Sequence, residues 1–332
     1  MKVVYFQRKR PPEFFSLEAY FDNVRKHLPP DVKAVTAVST YYSNGLFKRL
    51  YNCLEAATRQ GDVNHVTGDV HFLVLLLKKK KTILTIHDLG LLDHPSPLAR
   101  KILKLFWVTL PVRRAAMITA VSETTRRSII QQTQCDPAKV KVIHTCIGSH
   151  FTRKDKAFNK QRPAILQIGT VGNKNGIRMA QALQGIPCTL QIIGVPPPEL
   201  VHVLQECKID YSAAAKLTDE EILKQYEQCD ILLFASTLEG FGMPIVEANT
   251  VGRVVVTSNV SSMPEIANDA ACLVDPYDIE SIRQGVEKVI NNEDYRNELI
   301  LKGYKNARRF NVEEVANSYA ALYHQVVDQN NR

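Results

Sequence analysis

The segment that most constrains how this chain can fold is a strand that ends in a glycine-bearing turn between two glutamates. Asp230-Ile231-Leu232-Leu233-Phe234-Ala235 reads as a buried strand. It runs into Glu239-Gly240-Phe241-Gly242-Met243-Pro244-Ile245-Val246-Glu247, and a helix-like stretch at 244–251 leaves it. In open α/β sheets, ligands bind beyond the carboxyl ends of the strands. Glycine lets backbone approach a ligand closely. Proline suits the first helical turn, and the N–H groups of that turn suit an anion. Carboxylates on both sides of such a turn suit a ligand that carries hydroxyls and phosphate together. A nucleotide sugar fits that description.

The same rhythm runs along the whole chain. Strands are expected at 2–6, 32–39, 63–67, 81–86, 116–121 and 140–144. Helices are expected at 15–28 (with Ser16 as a cap), 46–59, 98–109, and from Glu123 after the cap Ser122. After a polar stretch at 149–162, rich in Lys and Arg, the pattern restarts. Strands are expected at 164–168, 189–194, 230–235, 253–257 and 271–274. Helices are expected from Pro196-Pro197-Pro198, at 219–228 behind Thr218, and at 278–291, 294–309 and 312–329. This βαβα alternation predicts two mostly parallel sheets with helices on both faces. The domain expectation is 1–155 and 156–311, with 312–332 as a terminal helix and a hinge near 150–162.

Composition narrows the class. The chain has 332 residues, enough for two domains of ordinary size. No apolar run reaches the ~18 residues of a membrane span. The start, Met1-Lys2-Val3-Val4-Tyr5-Phe6, is broken by Arg8-Lys9-Arg10 and reads as a first strand rather than a secretory signal. The 7 cysteines are scattered, with no C-x-x-C pair, which suits small core residues in a reducing, cytoplasmic setting. Residues 1–155 carry 25 Lys and Arg against 12 Asp and Glu, whereas 156–332 carry 17 against 22. The basic half therefore calls for an anionic partner. Leu98, Ile102, Leu103, Leu105, Phe106 and Trp107 share one helical stretch with Arg100, Lys101 and Lys104, a composition that suits docking on anionic lipid. A core-facing helix with a solvated basic back is the competing reading. No nucleic-acid recognition motif is present. No Asp-x-Asp follows a strand, Asp69-Val70-His71 lacks a third ligand, and no metal site is expected. No G-x-S-x-G supports a hydrolase.

The stretch from Asp230 to Pro276 resembles the family-4 retaining glycosyltransferases. The resemblance is carried by Glu239 through Ala248, then Val254-Val255-Val256-Thr257-Ser258-Asn259, Met263-Pro264-Glu265, Asp269-Ala270-Ala271 and Asp275-Pro276. Weaker matches are Ile168-Gly169-Thr170 with Lys174-Asn175, Thr85-Ile86-His87-Asp88-Leu89, and Ala120-Val121-Ser122-Glu123. The resemblance implies the GT-B fold, two facing Rossmann-like doubly wound α/β domains with an interdomain cleft, and a last helix returning to the first domain. It implies an enzyme that moves a hexosyl group from a GDP- or UDP-linked sugar to a saccharide or lipid-linked acceptor. With the cysteine usage, the basic half and the missing metal and nucleic-acid motifs, the expectation is a cytoplasmic enzyme, peripheral on the inner membrane face, without metal or other cofactor and without nucleic acid as a partner.

By the same resemblance, Glu239 holds donor-sugar hydroxyls, Lys174 neutralises the diphosphate, and His87 stands at the reaction centre. Gly169, Thr170, Gly240, Phe241, Gly242, Met243, Ile245 and Val246 line the donor, and Glu247 takes the ribose hydroxyls. Gly68, Asp69, His71 and Asp88, beyond strand ends of the first half, are the acceptor-side candidates. The chain departs from the pattern twice. Thr170 stands where many relatives carry an arginine, with Arg178 as a nearby substitute, and the loop at 7–13 has no glycine. Alternatives are a nucleotide-sugar epimerase or phosphorylase of the same fold, or a binding module without turnover.

Overall fold

The computed structural model describes residues 1–9 and 16–331. The expected start of the first helix at residue 15, the capping by Ser16 and the glycine-free loop from Arg10 onward lie outside the residues and side chains so described. The chain divides into two compact units: Met1–Cys146 with the final helix, and Ile147–Asn311.

In the first unit β1 (Lys2–Gln7), α1 (Ser16–Lys26), β2 (Lys33–Val38), α2 (Leu46–Thr58), β3 (Val63–Val66) and β4 (Thr82–Ile86) come first. Then follow α3 (Pro97–Leu103), α4 (Leu110–Arg114), β5 (Met117–Ala120), α5 (Glu123–Thr133) and β6 (Val140–Val142). The second unit holds β7 (Ala164–Ile168), α6 (Gly176–Ala182), β8 (Thr189–Ile193), α7 (Pro198–Glu206), β9 (Tyr211–Ala214), α8 (Asp219–Gln228) and β10 (Ile231–Phe234). It continues through α9 (Met243–Val251), β11 (Val254–Ser258), α10 (Met263–Ala267), β12 (Cys272–Val274), α11 (Ile279–Asn291) and α12 (Glu293–Ala307). The closing helix, α13 (Val312–Asn331), belongs to the first unit.

Each unit carries a six-stranded sheet, ordered β2-β1-β3-β4-β5-β6 and β12-β11-β10-β7-β8-β9, with every pairing parallel. Strands covered on both faces read as unbroken apolar runs. Accordingly β4, β10 and β11 are buried throughout, while the edge β2 is largely exposed and the edge β9 half exposed. In the first unit, alternate residues feed two cores. Val4, Phe6, Val66, Leu84 and Ile118 pack on one face, and Val3, Tyr5, Val63, Ile83 and Met117 pack on the other against α1 and α13.

Some boundaries differ from the expectation. Residues 147–155 pack with the second unit: Phe151 meets Tyr226 edge-on, and Arg253 binds the Lys154 carbonyl at 2.9 Å. The helix expected at 98–109 passes into a π-helical turn, Lys104–Thr109, before α4. The strand β9 and the helices α6 and α10 are additions to the expected elements.

A buried polar chain ties α13 to the first sheet. The Tyr5 and Tyr323 hydroxyls are 2.6 Å apart, Tyr323 meets His65 Nδ1 at 2.8 Å, His65 Nε2 meets Thr85 Oγ1 at 2.7 Å, and Thr85 meets Thr119 at 2.6 Å. Burial pushes the His65 ring down to about 3, so it is neutral in the fold. Its unfolded counterpart takes a proton below 6.5, so this residue's contribution to stability is intact above 6.5 and lost as pH falls toward 3. Tyr323→Phe leaves His65 Nδ1 and the Tyr5 hydroxyl without their shared partner. We expect it to lower the unfolding free energy by about 1–3 kcal/mol in a denaturant titration at pH 7.5.

Candidate active site

In the second sheet β7 and β10 are neighbours, although β8 and β9 come between them in the chain. Here the strand order reverses, and the loops after the two strands open beyond the same carboxyl edge, where ligands bind in such sheets. The loop after β7 carries Gly169 to Asn175, and the loop after β10 carries Ala235 to Gly242.

Side-chain amides join the two loops. Asn175, in the left-handed region at φ 59°, donates from Nδ2 to the Ala235 carbonyl at 2.9 Å and to the Pro276 carbonyl at 2.7 Å. Asn173 donates to the Leu238 carbonyl at 2.8 Å, and the Thr237 N–H returns a 2.8 Å bond to the Asn173 carbonyl. Lys174 therefore faces the second loop, and its ammonium lies 2.6 Å from Glu239 Oε1 and 4.9 Å from the Phe234 ring centre. Gly169 makes room for it: its φ is +86°, and a Cβ there would stand 2.9 Å from the Lys174 side chain. Both charged side chains keep partial access to solvent, 19% for Lys174 and 14% for Glu239.

Serines after β11 fix the glutamate turn. Ser261 Oγ accepts from the Glu239 N–H at 3.1 Å and donates to its carbonyl at 2.8 Å, and Ser262 Oγ reaches the Phe241 carbonyl at 2.6 Å. Gly242, at φ +116°, then turns the chain into α9 with Pro244 in its first turn. Phe241 is buried edge-on against Phe310 with ring centres 5.4 Å apart. Thr170 packs where a Cβ on Gly194 would sit, and Met243 is half-buried.

Glu247 is held separately. It is half-buried on α9, and Tyr226 of α8 donates to its Oε2 at 2.5 Å. Burial pushes its carboxyl up to about 7, opposed by the Tyr226 bond and assisted by nearby Asp219. Burial also raises the Tyr226 phenol well above its ordinary value, so it stays a donor. The Ile245 side chain is fully buried and its N–H is bound to the Gly242 carbonyl at 3.0 Å, so it builds the turn. Val246 is equally buried, which leaves only its main chain for a ligand. Arg178 reaches Asn175 Oδ1 at 3.1 Å and lies over the Tyr277 ring.

In the first unit the strand order reverses between β1 and β3. Beside them His87 Nε2 donates to the Thr67 carbonyl at 2.9 Å, so Nδ1 carries the lone pair, and burial lowers its pKa. Arg8 bridges Glu18 at 2.9 Å and Asp69. Gln7, Arg8, Glu18, Thr67 and Gly68 line a small crevice, in which Gln7 Nε2 and Glu18 Oε2 are buried with no partner. His71 is buried and bound through Nδ1 to the Trp107 carbonyl at 2.7 Å, which fits a local structural tie. Asp88 is exposed and accepts the Gly90 N–H at 2.8 Å. A concavity of about 570 Å³ flanked by Arg162, Cys188 and Asp210 opens at the opposite ends of β8 and β9, away from the Lys174–Glu239 edge. Among the described residues no group of three or more His, Cys, Asp or Glu is placed to hold a metal ion.

Two doubly wound parallel units, with a cation and a carboxylate at one switch point, define a GT-B protein. The family described as Glycosyltransferase Family 4 matches residues 2–149, and that described as Glycosyl transferases group 1 matches residues 149–306. The chain belongs to the family-4 glycosyltransferases. It is 26% identical over 248 residues to the serotype-specific mannosyltransferase WbdA of Escherichia coli, covering 66% of this chain and 30% of that protein. Thus the chain spans about a third of the length of the first curated relatives it matches. It is 25% identical over 274 residues to the O-antigen chain mannosyltransferase B of Escherichia coli, covering 73% of this chain and 71% of that one. Among solved structures, Anabaena Alr3699/HepE in complex with UDP and glucose superposes with a TM-score of 0.77 at 15% identity, covering 98% of this chain and 100% of that one. WaaG, a glycosyltransferase involved in lipopolysaccharide biosynthesis, gives 0.72 at 13%, covering 97% and 99%.

Residues outside the expected set complete the site: Asn173, Ser261, Ser262 and Tyr226. Asn175 stands out in the sequence only as the neighbour of Lys174.

The Glu247 carboxyl has a folded pKa of about 7 against an ordinary value of 4.5. Its contribution to stability is therefore full below 4.5 and lost as pH rises through 7. Glu247→Gln removes that loss. Relative to wild type we expect it to gain about 3 kcal/mol between pH 4.5 and pH 8. Thermal unfolding across that range checks this, and a pH-independent difference would contradict it.

Proposed function

We propose that the chain transfers a hexosyl group from a nucleotide-diphosphate sugar, GDP- or UDP-linked, to a hydroxyl of a glycan, polysaccharide or lipid-linked saccharide. Transfer retains the anomeric configuration and uses neither metal nor organic cofactor. The observation that carries this reading is the Lys174–Glu239 pair at the second sheet's switch point. Mannose is the first sugar to test, because the curated relatives with most of the matched length are named mannosyltransferases.

The contacts support the following roles. A bound diphosphate competes with Glu239 for the Lys174 ammonium, which frees carboxylate oxygens to accept donor-sugar hydroxyls. As the glycosidic bond breaks, charge grows on the diphosphate and Lys174 stabilises it, together with main-chain donors at the start of α9. Glu247, oriented by Tyr226, accepts the ribose hydroxyls. In this reading Glu239 is engaged by donor-sugar hydroxyls and Glu247 is near half-protonation at neutral pH, so neither suits a nucleophile. A front-face reaction fits better. The acceptor oxygen bonds to the anomeric carbon on the side the diphosphate leaves, the carbon–oxygen bond to the diphosphate breaks toward phosphate, and the leaving oxygen takes the acceptor proton. His87, neutral with its lone pair on Nδ1, suits a hydrogen bond from a sugar hydroxyl rather than the role of an acid.

Lys174→Ala and Glu239→Ala should each lower turnover by about 10²–10³. In Glu239→Ala, nucleotide diphosphate should still raise the melting temperature. Product anomers read by NMR test retention. Wild type that binds nucleotide sugars but turns over none would be a binding module. Release of an epimerised nucleotide sugar without acceptor, or consumption of orthophosphate as acceptor, would select the other two enzymes.

A further inference from the structure

Two buried polar atoms without a partner line one crevice of the first unit. Gln7 closes β1, Thr67 and Gly68 follow β3, and Glu18 stands in the first turn of α1. The strand order reverses between β1 and β3, so the crevice lies where such sheets take ligands. Gln7 is 4% exposed and Glu18 3%. Among the described residues Gln7 Nε2 finds no acceptor and Glu18 Oε2 finds no donor. Leaving a buried polar atom unpaired weakens a fold, so both atoms call for a partner from outside the chain. The crevice, about 10 Å³, admits one water-sized group.

The neighbours narrow what that group can be. Arg8 Nε donates to Glu18 Oε1 at 2.9 Å, and the same guanidinium pairs with Asp69. Arg8 thus serves two carboxylates, and the crevice does not invite an anion. The two open positions are one donor, Gln7 Nε2, and one acceptor, Glu18 Oε2. A hydroxyl matches both, because its oxygen takes the amide proton and its own proton goes to the carboxylate. A fully ionised phosphate oxygen has no proton to give, and an ammonium has no lone pair to offer. The crevice also touches a residue already assigned to sugar contact, since His87 Nε2 donates to the Thr67 carbonyl at 2.9 Å.

We propose that this crevice seats one hydroxyl of a neutral saccharide acceptor, with Gln7 Nε2 donating to it, Glu18 Oε2 accepting from it, and Arg8 holding Glu18 in place. The saccharide class rests on the sugar-transfer reading, whereas the match to an uncharged hydroxyl rests on the crevice itself.

The test is saturation-transfer NMR of the full chain with the methyl glycosides of mannose, glucose, galactose and N-acetylglucosamine, each titrated to a dissociation constant. At least one should bind wild type, and inorganic phosphate should not displace it. Gln7→Leu removes the donor at similar volume and breaks no bond of Nε2. It should weaken that glycoside about fivefold, with a melting temperature at or above that of wild type. Glu18→Gln should weaken it at least about tenfold, because the carboxylate that accepts is the stronger partner. Wild type that binds none of the glycosides overturns the proposal, as does Gln7→Leu that binds one equally well. Displacement by phosphate would make the crevice an anion site and overturn it too. A lower melting temperature in Gln7→Leu with unchanged glycoside binding would assign the crevice to a structural water, with the same result. The titration needs no turnover, so the two readings fail separately. Wild type that binds a glycoside through Gln7 but transfers no sugar keeps this inference and loses the transferase. Wild type that transfers sugar to a glycoside, with Gln7→Leu unaffected, does the reverse.

Discussion

Lys174 and Glu239 meet only because β10 returns to lie beside β7. The order β12-β11-β10-β7-β8-β9 is what brings residues 65 positions apart in sequence to an ion pair of 2.6 Å. The rest of the site serves that pair. Gly169 leaves space for the lysine stem, Asn173 and Asn175 hold its loop against the next, and Ser261 and Ser262 hold the glutamate turn from the third loop along. Three consecutive loops on one sheet edge thus share one hydrogen-bonded frame, and a shift in any of them displaces the pair.

The two titrating groups with shifted pKa pull in opposite directions. His65 loses stability as acid rises, and Glu247 loses it as base rises. The first belongs to a satisfied chain of hydroxyls beneath α13. The second belongs to the candidate site and, among the described residues, takes a hydrogen bond from Tyr226, where a carboxylate has room for several. An under-served carboxylate at a ligand edge is what a hydroxyl-bearing ligand would complete.

Much of this architecture was legible in the sequence, because apolar runs of four to six residues between amphipathic stretches announce buried parallel strands. β4, β10 and β11 are such runs. The strand β9 was not legible: Tyr-Ser-Ala-Ala is short, edge-placed and half exposed, so burial left little pattern in it. The turn between the glutamates was legible from glycine and proline. Its supports were not, since Ser261 and Ser262 are remote in sequence and act through main-chain bonds. Tyr226 was hidden for a similar reason, because helix spacing says which face a residue takes but not which neighbour it meets. The helix at 98–109 was readable as apolar and basic. Which side the apolar residues take depends on what packs there, and α2 shows the trap: its helical stripe of leucines faces outward, while its small residues face the core.

The final helix has a consequence for synthesis. The sheet face bearing Val3, Tyr5, Val63 and Ile83 is covered in part by Tyr319, Tyr323 and Val326. Those residues leave the ribosome only after the whole of 147–311 has emerged. The middle of the nascent chain can therefore reach its native fold while the earlier portion still waits with one aromatic-rich side bare, and the half translated first is the half completed last.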